Sequence, residues 1–375
     1  MSIDLAQMPK LGFGLMRLPQ LDGKIDYQHL CKMVDAYMNA GMNYFDTAYV
    51  YHSGQSECAV KEVLTKRYAR EKFMVATKLP GWALSSKQDI DRIFNEQLER
   101  TGLDYFDFYL LHSLEDGDNY EKHEKFGSFE WGLQKKKEGK IKHFGFSFHA
   151  GPELLEKILD KHPEMEFCQI QLNYADWDNQ IVQSGKLYKI LESRKIPIIV
   201  MEPVKGGTLA NLPPDLDAKL KAVHPDKSAA SWALRFVASL PGIMTILSGM
   251  SSQEQMDDNI ATFKNFEPLN DTEKKTIEEV VKIMTDLPLI PCTSCRYCTD
   301  GCPMNIKIPD IFRALNTKRT YPNDDRPHFF YNRLTANTGK AKDCVACKQC
   351  ESVCPQHLPI VSLIKEAAQK FDGAA

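Results

Sequence analysis

Eight of the eleven cysteines fall in two runs of identical spacing. Cys292, Cys295, Cys298 and Cys302 precede Pro303, and Cys344, Cys347, Cys350 and Cys354 recur 52 residues later before Pro355. Each run reads C-x2-C-x2-C-x3-C-P. In a reducing compartment, thiols this dense argue for bound metal over disulfides. A second set of reactive types is spread through the first third of the chain. Asp46, Lys78 and His112 each end a short apolar run, and Tyr51 follows Asp46 by five residues. Singly, each has an ordinary structural reading, although a lysine ending an apolar strand demands a partner for its charge. Together they suit acid–base work. A phenol of pKa about 10 is a poor proton donor at neutral pH. A neighbouring ammonium favours the phenolate, a carboxylate keeps that ammonium charged, and an imidazole alongside can orient a carbonyl oxygen.

Elements must hold these groups. Apolar runs at 11–15, 43–47, 73–78, 107–112, 143–148, 167–173, 197–202 and 243–249 read as eight strands, bounded by Gly, Pro or polar residues. Helical patterns fall between most of them. Leu30, Val34, Tyr37 and Met38 share a face in 28–39. Ile90, Ile93, Phe94 and Leu98 do so in 87–100, and 152–161 opens with Pro152. Eight strands alternating with helices predict an α/β fold, a (β/α)8 TIM barrel, with its reactive groups at the strands' C-terminal ends. The rival, a doubly wound sheet, lacks its fingerprint: Gly12-Phe13-Gly14 is followed by Leu15-Met16-Arg17, with no third glycine. A further helix at 271–287, stopped by Pro288 and Pro291, sets the expected boundary between a barrel at 1–286 and a small, mostly helical domain at 287–375.

Composition narrows the function classes. The chain has 375 residues, 43% hydrophobic and 26% charged, which is globular usage with ample core. Forty-seven basic against fifty acidic residues offer nothing to a nucleic-acid polyanion. No apolar run approaches the ~18 residues of a membrane span. Residues 1–10 carry Asp4 and neither a basic nor an apolar leader region, so a cytoplasmic protein is expected. From Cys292 onward, 12 basic residues outnumber 8 acidic ones, a local excess suited to thiolate-ligated metal.

Three thiolates at steps of three wrap part of a cubane, and the fourth points away toward the other run. The runs resemble the bacterial ferredoxin two-cluster module in all eight cysteines and both prolines. The resemblance implies one [4Fe–4S] cluster on Cys292, Cys295, Cys298 and Cys354, and another on Cys344, Cys347, Cys350 and Cys302. The spacer 304–343 is longer than in a short ferredoxin and closer to modules fused to larger oxidoreductases. Zinc is the alternative, but a structural zinc site wants two separated pairs of ligands. Of the remaining cysteines (Cys31, Cys58 and Cys168), Cys168 reads as a small buried hydrophobe.

The stretch Gly41-Met42-Asn43-Tyr44-Phe45-Asp46-Thr47-Ala48 with Tyr51 and Lys78, and Gly139-Lys140-Ile141 leading to Gly145-Phe146-Ser147, resemble the aldo-keto reductases over roughly residues 10–265. The resemblance implies Tyr51 as general acid, tuned by Lys78 and Asp46, with His112 aligning the carbonyl. It also implies a nicotinamide dinucleotide, NADP or NAD, across the barrel mouth. Ser147 and Gln169 match the carboxamide contacts, and Pro203, Val204 and Gly206 the pyrophosphate loop. Gly249, Met250, Gln255, Asp258 and Asn259 match the adenosine segment, with Met16 a further contact. Four positions depart from the family pattern. Phe148 stands beside Ser147 where Asn or His is usual, Met201 replaces the aromatic platform for nicotinamide, and Gly249 and Gln255 replace the basic residues that hold a 2′-phosphate.

Hydride transfer moves two electrons and a cluster passes one. A flavin would reconcile them, although no flavin motif is present. Three readings follow: a carbonyl/alcohol oxidoreductase acting on a small substrate, whose clusters exchange electrons with a redox partner protein; an ordinary reductase with structural or redox-sensing clusters; and an electron carrier that uses a silent barrel for docking. Trp82, after Lys78, is expected to line the pocket.

Overall fold

The structure, a computed structural model, describes residues 4, 8–115, 118–179, 182–264, 266–285, 289–320 and 326–373. Eight parallel strands close into a barrel, as expected. They are β1 (Leu11–Gly14), β2 (Tyr44–Asp46), β3 (Met74–Pro80), β4 (Phe106–Leu114), β5 (Ile141–Phe148), β6 (Cys168–Gln171), β7 (Ile198–Met201) and β8 (Ile243–Ser248). β8 returns to β1 through Leu11↔Ile246 and Phe13↔Ser248. Helices cover the outside, so a strand such as β4 is buried along its whole length and needs no polar alternation. The helix Tyr27–Asn39 starts where the Asp26 carboxylate accepts from His29 N, and Gln88–Thr101 stops at the left-handed Gly102.

Two of these strands run past the C-terminal ends read from the sequence. β3 continues past Lys78 to Pro80 because Leu79↔Leu111 and Pro80↔His112 extend its ladder with β4, and β4 continues past His112 to Leu114 through Leu114↔Phe148 on β5. A hairpin of Gln20–Leu21 with Lys24–Ile25 was not foreseen. Its turn is Asp22-Gly23, both at positive φ (50° and 77°), a pair suited to a tight two-residue connection.

The barrel interior is built in layers. Tyr44, Ala76, Phe108, Leu110, Phe167, Ile199, Met244 and Leu247 form one apolar cluster. A strand repeats its facing every two residues. Counting two onward from Tyr44, Ala76, Leu110, Phe167 and Ile199 therefore reaches Asp46, Lys78, His112, Gln169 and Met201. Ser147 follows Gly145 in the same way. A Cβ on Gly145 would lie 2.3 Å from the Phe167 carbonyl oxygen and 2.9 Å from its ring, so this strand must yield to Phe167.

By contact density the chain divides into two compact units, Met1–Pro203 with Ala230–Leu269, and Val204–Ala229 with Asn270–Ala375. In the second, the helix Pro214–Val223 packs on Asp271–Thr285, with Lys219–Glu279 at 3.5 Å and His224–Glu273 at 2.8 Å. The expected stop of that second helix at Pro288, and the boundary drawn at 286 and 287, lie outside the described residues.

The thiol module repeats its backbone as well as its cysteines. Ser294, Arg296 and Asn305 adopt positive φ (57°, 70° and 51°), and so do Ala346, Lys348 and His357 (54°, 62° and 49°), each 52 residues on. The short helices Tyr297–Asp300 and Gln349–Ser352, and the long ones Ile308–Thr320 and Ile360–Phe371, obey the same offset. Ile306, Ile308, Ile311, Phe312 and Leu315 meet Leu358, Ile360 and Ile364 in one core. Among the described residues no helix is long and apolar enough to cross a membrane.

Candidate functional site

The apolar plug of the barrel forces a charged pair directly above it. Lys78 Nζ lies 2.5 Å from Asp46 Oδ1 and donates to the Thr47 carbonyl at 2.7 Å, with both side chains almost fully buried. Burial pushes the Asp46 carboxyl up and the Lys78 ammonium down, each partly offset by the other's opposite charge. Tyr51 enters from the short helix Tyr51–Gly54, whose His52 and Ser53 are left-handed. The lysine Nζ stands 5.1 Å from the centre of its ring. His112 meets that ring edge-on at 6.1 Å, and Trp82 packs on His112 at 5.0 Å. Trp82 is 41% exposed. Burial, then the Lys78 charge, holds His112 well below the usual imidazole range, so it is neutral at neutral pH. Among the described residues, Asp46 Oδ2 and His112 Nδ1 have no partner.

Sequence reasoning missed the residues behind this quartet. Glu57 is fully buried; its Oε1 accepts from Thr77 Oγ1 at 2.6 Å and from Gln97 Nε2 at 2.9 Å, and its Oε2 meets Arg100 at 3.2 Å. Gln97 Nε2 also donates to the Lys78 carbonyl at 3.0 Å, and its Oε1 accepts from Tyr109 OH at 2.6 Å. This network fixes the strand that carries the lysine. Asn119 Nδ2 donates to the His112 carbonyl at 2.8 Å and also to that of Ser113, which is at φ 56°. The available signal was weak: Glu57 and Gln97 sit on inward faces of their helices, and no spacing reveals their convergence.

The residues expected to contact a dinucleotide divide. Ser147 and Gln169 are register partners on β5 and β6 and leave the sheet on one face. Ser147 Oγ accepts from Ser113 N at 2.7 Å, and Gln169 Nε2 lies 3.6 Å from Met201 Sδ. The buried Gln169 Oε1 has no partner among the described residues, which leaves an acceptor of the kind a carboxamide N–H would use. Met16 and Gly249 are half-buried, and the Arg17 stem passes within 3.5 Å of a Cβ built on Gly249. Met250 and Asn259 are buried, with Asn259 Nδ2 donating to Ser248 Oγ at 2.7 Å, so Asn259 is occupied in holding the end of β8. Gln255 is exposed and accepts from Ser251 N at 2.8 Å; Asp258 is half-buried on the same helix. Pro203 belongs to the first unit, Val204 and Gly206 to the second.

None of the eleven cysteines is in a disulfide. Eight of them, all in the second unit, gather around two cavities. Cys292, Cys295, Cys298 and Cys354 line one of about 300 Å³. Cys344, Cys347, Cys350 and Cys302 line another of about 370 Å³. In each, three thiols come from one run and the fourth from the other. This crossed set, three thiols from one run and one from the other, is the ligand pattern of a two-cluster module and not the two separated pairs of a structural zinc site. Backbone N–H groups already face sulfur, Ser294 N to Cys292 at 3.5 Å and Ile306 N to Cys302 at 3.4 Å. Burial and then neighbouring thiols push the Cys298 thiol up; burial, Glu351 and Cys344 push Cys350 up to about 11. Cationic iron would reverse that preference, so the donor set fits a cluster.

The 4Fe-4S dicluster domain pattern matches residues 291–359, and the Aldo/keto reductase family pattern matches residues 10–282. An uncharacterized oxidoreductase, YqkF of Bacillus subtilis, is 25% identical over 73% of this chain and 92% of its own length. L-galactose dehydrogenase of Arabidopsis thaliana is 26% identical over 73% and 90%. Among solved structures, aldo-keto reductase AKR11C1 from Bacillus halodurans superposes with a TM-score of 0.58 at 24% identity, covering 73% of this chain and 92% of that one. With the family pattern spanning the whole barrel, the chain belongs to the aldo/keto reductase family and is an oxidoreductase of that type, with a 4Fe-4S dicluster domain joined to its C-terminal side.

Proposed function

We propose that the barrel reduces an aldehyde or ketone to an alcohol, or runs the reverse, at the expense of NADP(H) or NAD(H). The observation that carries this reading is the buried Lys78–Asp46 pair with its Nζ 5.1 Å from the Tyr51 ring and His112 at that ring's edge. The neutral His112 imidazole orients the substrate carbonyl. Tyr51 OH gives its proton to the oxygen as negative charge develops there, and the Lys78 ammonium stabilises the phenolate left behind. Asp46 keeps that ammonium charged in a site whose burial opposes it. A bound nicotinamide supplies or takes the hydride. Ser147 and Gln169 would hold its carboxamide, and Val204–Gly207 its diphosphate; the absence of basic residues at Gly249 and Gln255 leaves NAD(H) as open as NADP(H).

In the second unit, each cavity's four thiols would hold a [4Fe–4S] cluster, which supplies single-electron exchange with a partner protein. The exposed Cys347, with Val345 61% exposed at the same rim, supports an outward-facing exchange site. Tyr51→Phe tests the barrel reading. Carbonyl turnover is expected to drop by about 10²–10⁴-fold with iron content unchanged, and a rate close to the parent's would remove Tyr51 from its role.

A further inference from the structure

The turn after β7 carries three successive residues at positive φ, Lys205 (48°), Gly206 (63°) and Gly207 (96°). Entering that region strains a non-glycine residue such as Lys205, so the turn is a built feature. Val204 (φ −105°, ψ 14°) followed by left-handed Lys205 is a turn conformation of the kind that directs successive backbone N–H groups to one side, which suits an anion. Internally the turn is closed by Gly207 N and Leu209 N, which donate to the Val204 carbonyl at 3.0 and 3.1 Å.

One side of the turn is already in contact. A Cβ built on Gly206 would stand 2.2 Å from the Thr293 carbonyl oxygen and 2.6 Å from its carbonyl carbon. Gly206 is therefore required twice, by its φ and by the backbone pressed against it. Thr293 follows Cys292, is 2% exposed, and lines the first thiol cavity beside Cys292, Cys295, Cys298 and Cys354. It is not among the residues lining the second cavity. Turn and residue 293 lie in one compact unit.

We infer that Thr293 is a positioning residue that couples the first cluster to the 204–207 turn, so that affinity for a dinucleotide's diphosphate depends on the cluster at Cys292, Cys295, Cys298 and Cys354 and not on the other. This rests on the reading above that the turn takes the diphosphate. Seating iron on Cys292 fixes the backbone at 293, and that backbone fixes the turn. Coupling between two binding events is reciprocal, so a bound dinucleotide stabilises the same cluster.

The test uses anaerobically purified full chain, parent and variant. NADPH binding is followed by its fluorescence, and iron release to a chelator is followed with and without NADP⁺. Cys298→Ser should weaken NADPH binding by about tenfold or more, while Cys347→Ser leaves it within about twofold. NADP⁺ should slow release of about four of about eight irons. Gly206→Ala should lower both iron content and NADPH affinity. Equal binding by the parent and Cys298→Ser, equal losses in the two cysteine variants, or iron release indifferent to NADP⁺ would each overturn the coupling. If the parent chain binds neither NADPH nor NADH, the diphosphate reading itself fails and the coupling goes with it. Tight binding that ignores Cys298→Ser sinks the coupling alone.

Discussion

The barrel and the thiol module solve the same problem, holding reactive groups at fixed separations, by opposite means. In the barrel the groups come from distant positions, and none is placed by its neighbours in sequence. Asp46, Lys78 and His112 converge because three strands pair in register and each carries an apolar residue two positions earlier in the plug. The thiol module works locally. Within each run, left-handed residues at the same offsets turn the chain so that three sulfurs face one cavity, and only the fourth depends on the other run. A site built by sheet register is sensitive to any change in the pairing of its charges. A site built by local turns fails ligand by ligand.

The sharpest way to break the comparison is at the buried pair. Lys78→Met leaves the Asp46 carboxylate buried without its cation, and removing one partner of such a pair costs about 3–5 kcal/mol. Turnover should disappear together with that stability. The double change Lys78→Met with Asp46→Asn removes both charges, so denaturant melts should recover most of the loss while carbonyl reduction stays absent. A double variant as unstable as the single one would mean that the pair's cost lies in packing and not in charge.

In the module, Cys354→Ser distinguishes crossed from uncrossed ligand sets. Cys354 belongs to the second run by sequence but lines the cavity of the first. The expected outcome is loss of about half the iron, with the surviving cluster retaining the signature of one that Cys302→Ser abolishes. If Cys354→Ser and Cys347→Ser remove the same cluster, the sets follow the sequence runs and the cavities have been misread.

Legibility followed the same division. The eight strands could be read because a barrel strand covered on both faces is a plain apolar run, and the thiol spacing could be read because it is a local instruction. Strand ends could not: nothing in Leu79-Pro80 or Ser113-Leu114 says that the ladder continues, since that depends on a partner about 30 residues away. Glu57 and Gln97 were invisible for the same reason. Their roles exist only once two helices bring them against Thr77 and the Lys78 carbonyl. The segment 204–229 carries no signal that it groups with the C-terminal residues; only tertiary contact reveals it.

The smallest expected effect probes how completely the barrel excludes water behind His112. His123 is fully buried on the helix Asp118–Phe126, and neither ring nitrogen has a partner among the described residues. Burial lowers its pKa to about 3. Between that value and the unfolded value of about 6.5, the unfolded chain binds a proton that the folded chain does not, so stability falls as the pH drops through this window and is unaffected above it. The slope is at most about 1.4 kcal/mol per pH unit. His123→Leu removes the titrating group. Its melting temperature should therefore fall less steeply than the parent's from pH 6.5 to pH 4, while at pH 8 the two differ only by a packing change that does not vary with pH. Parallel curves over the whole range would mean that the imidazole is protonated inside the fold, and the wall behind His112 is then wetter than its burial implies.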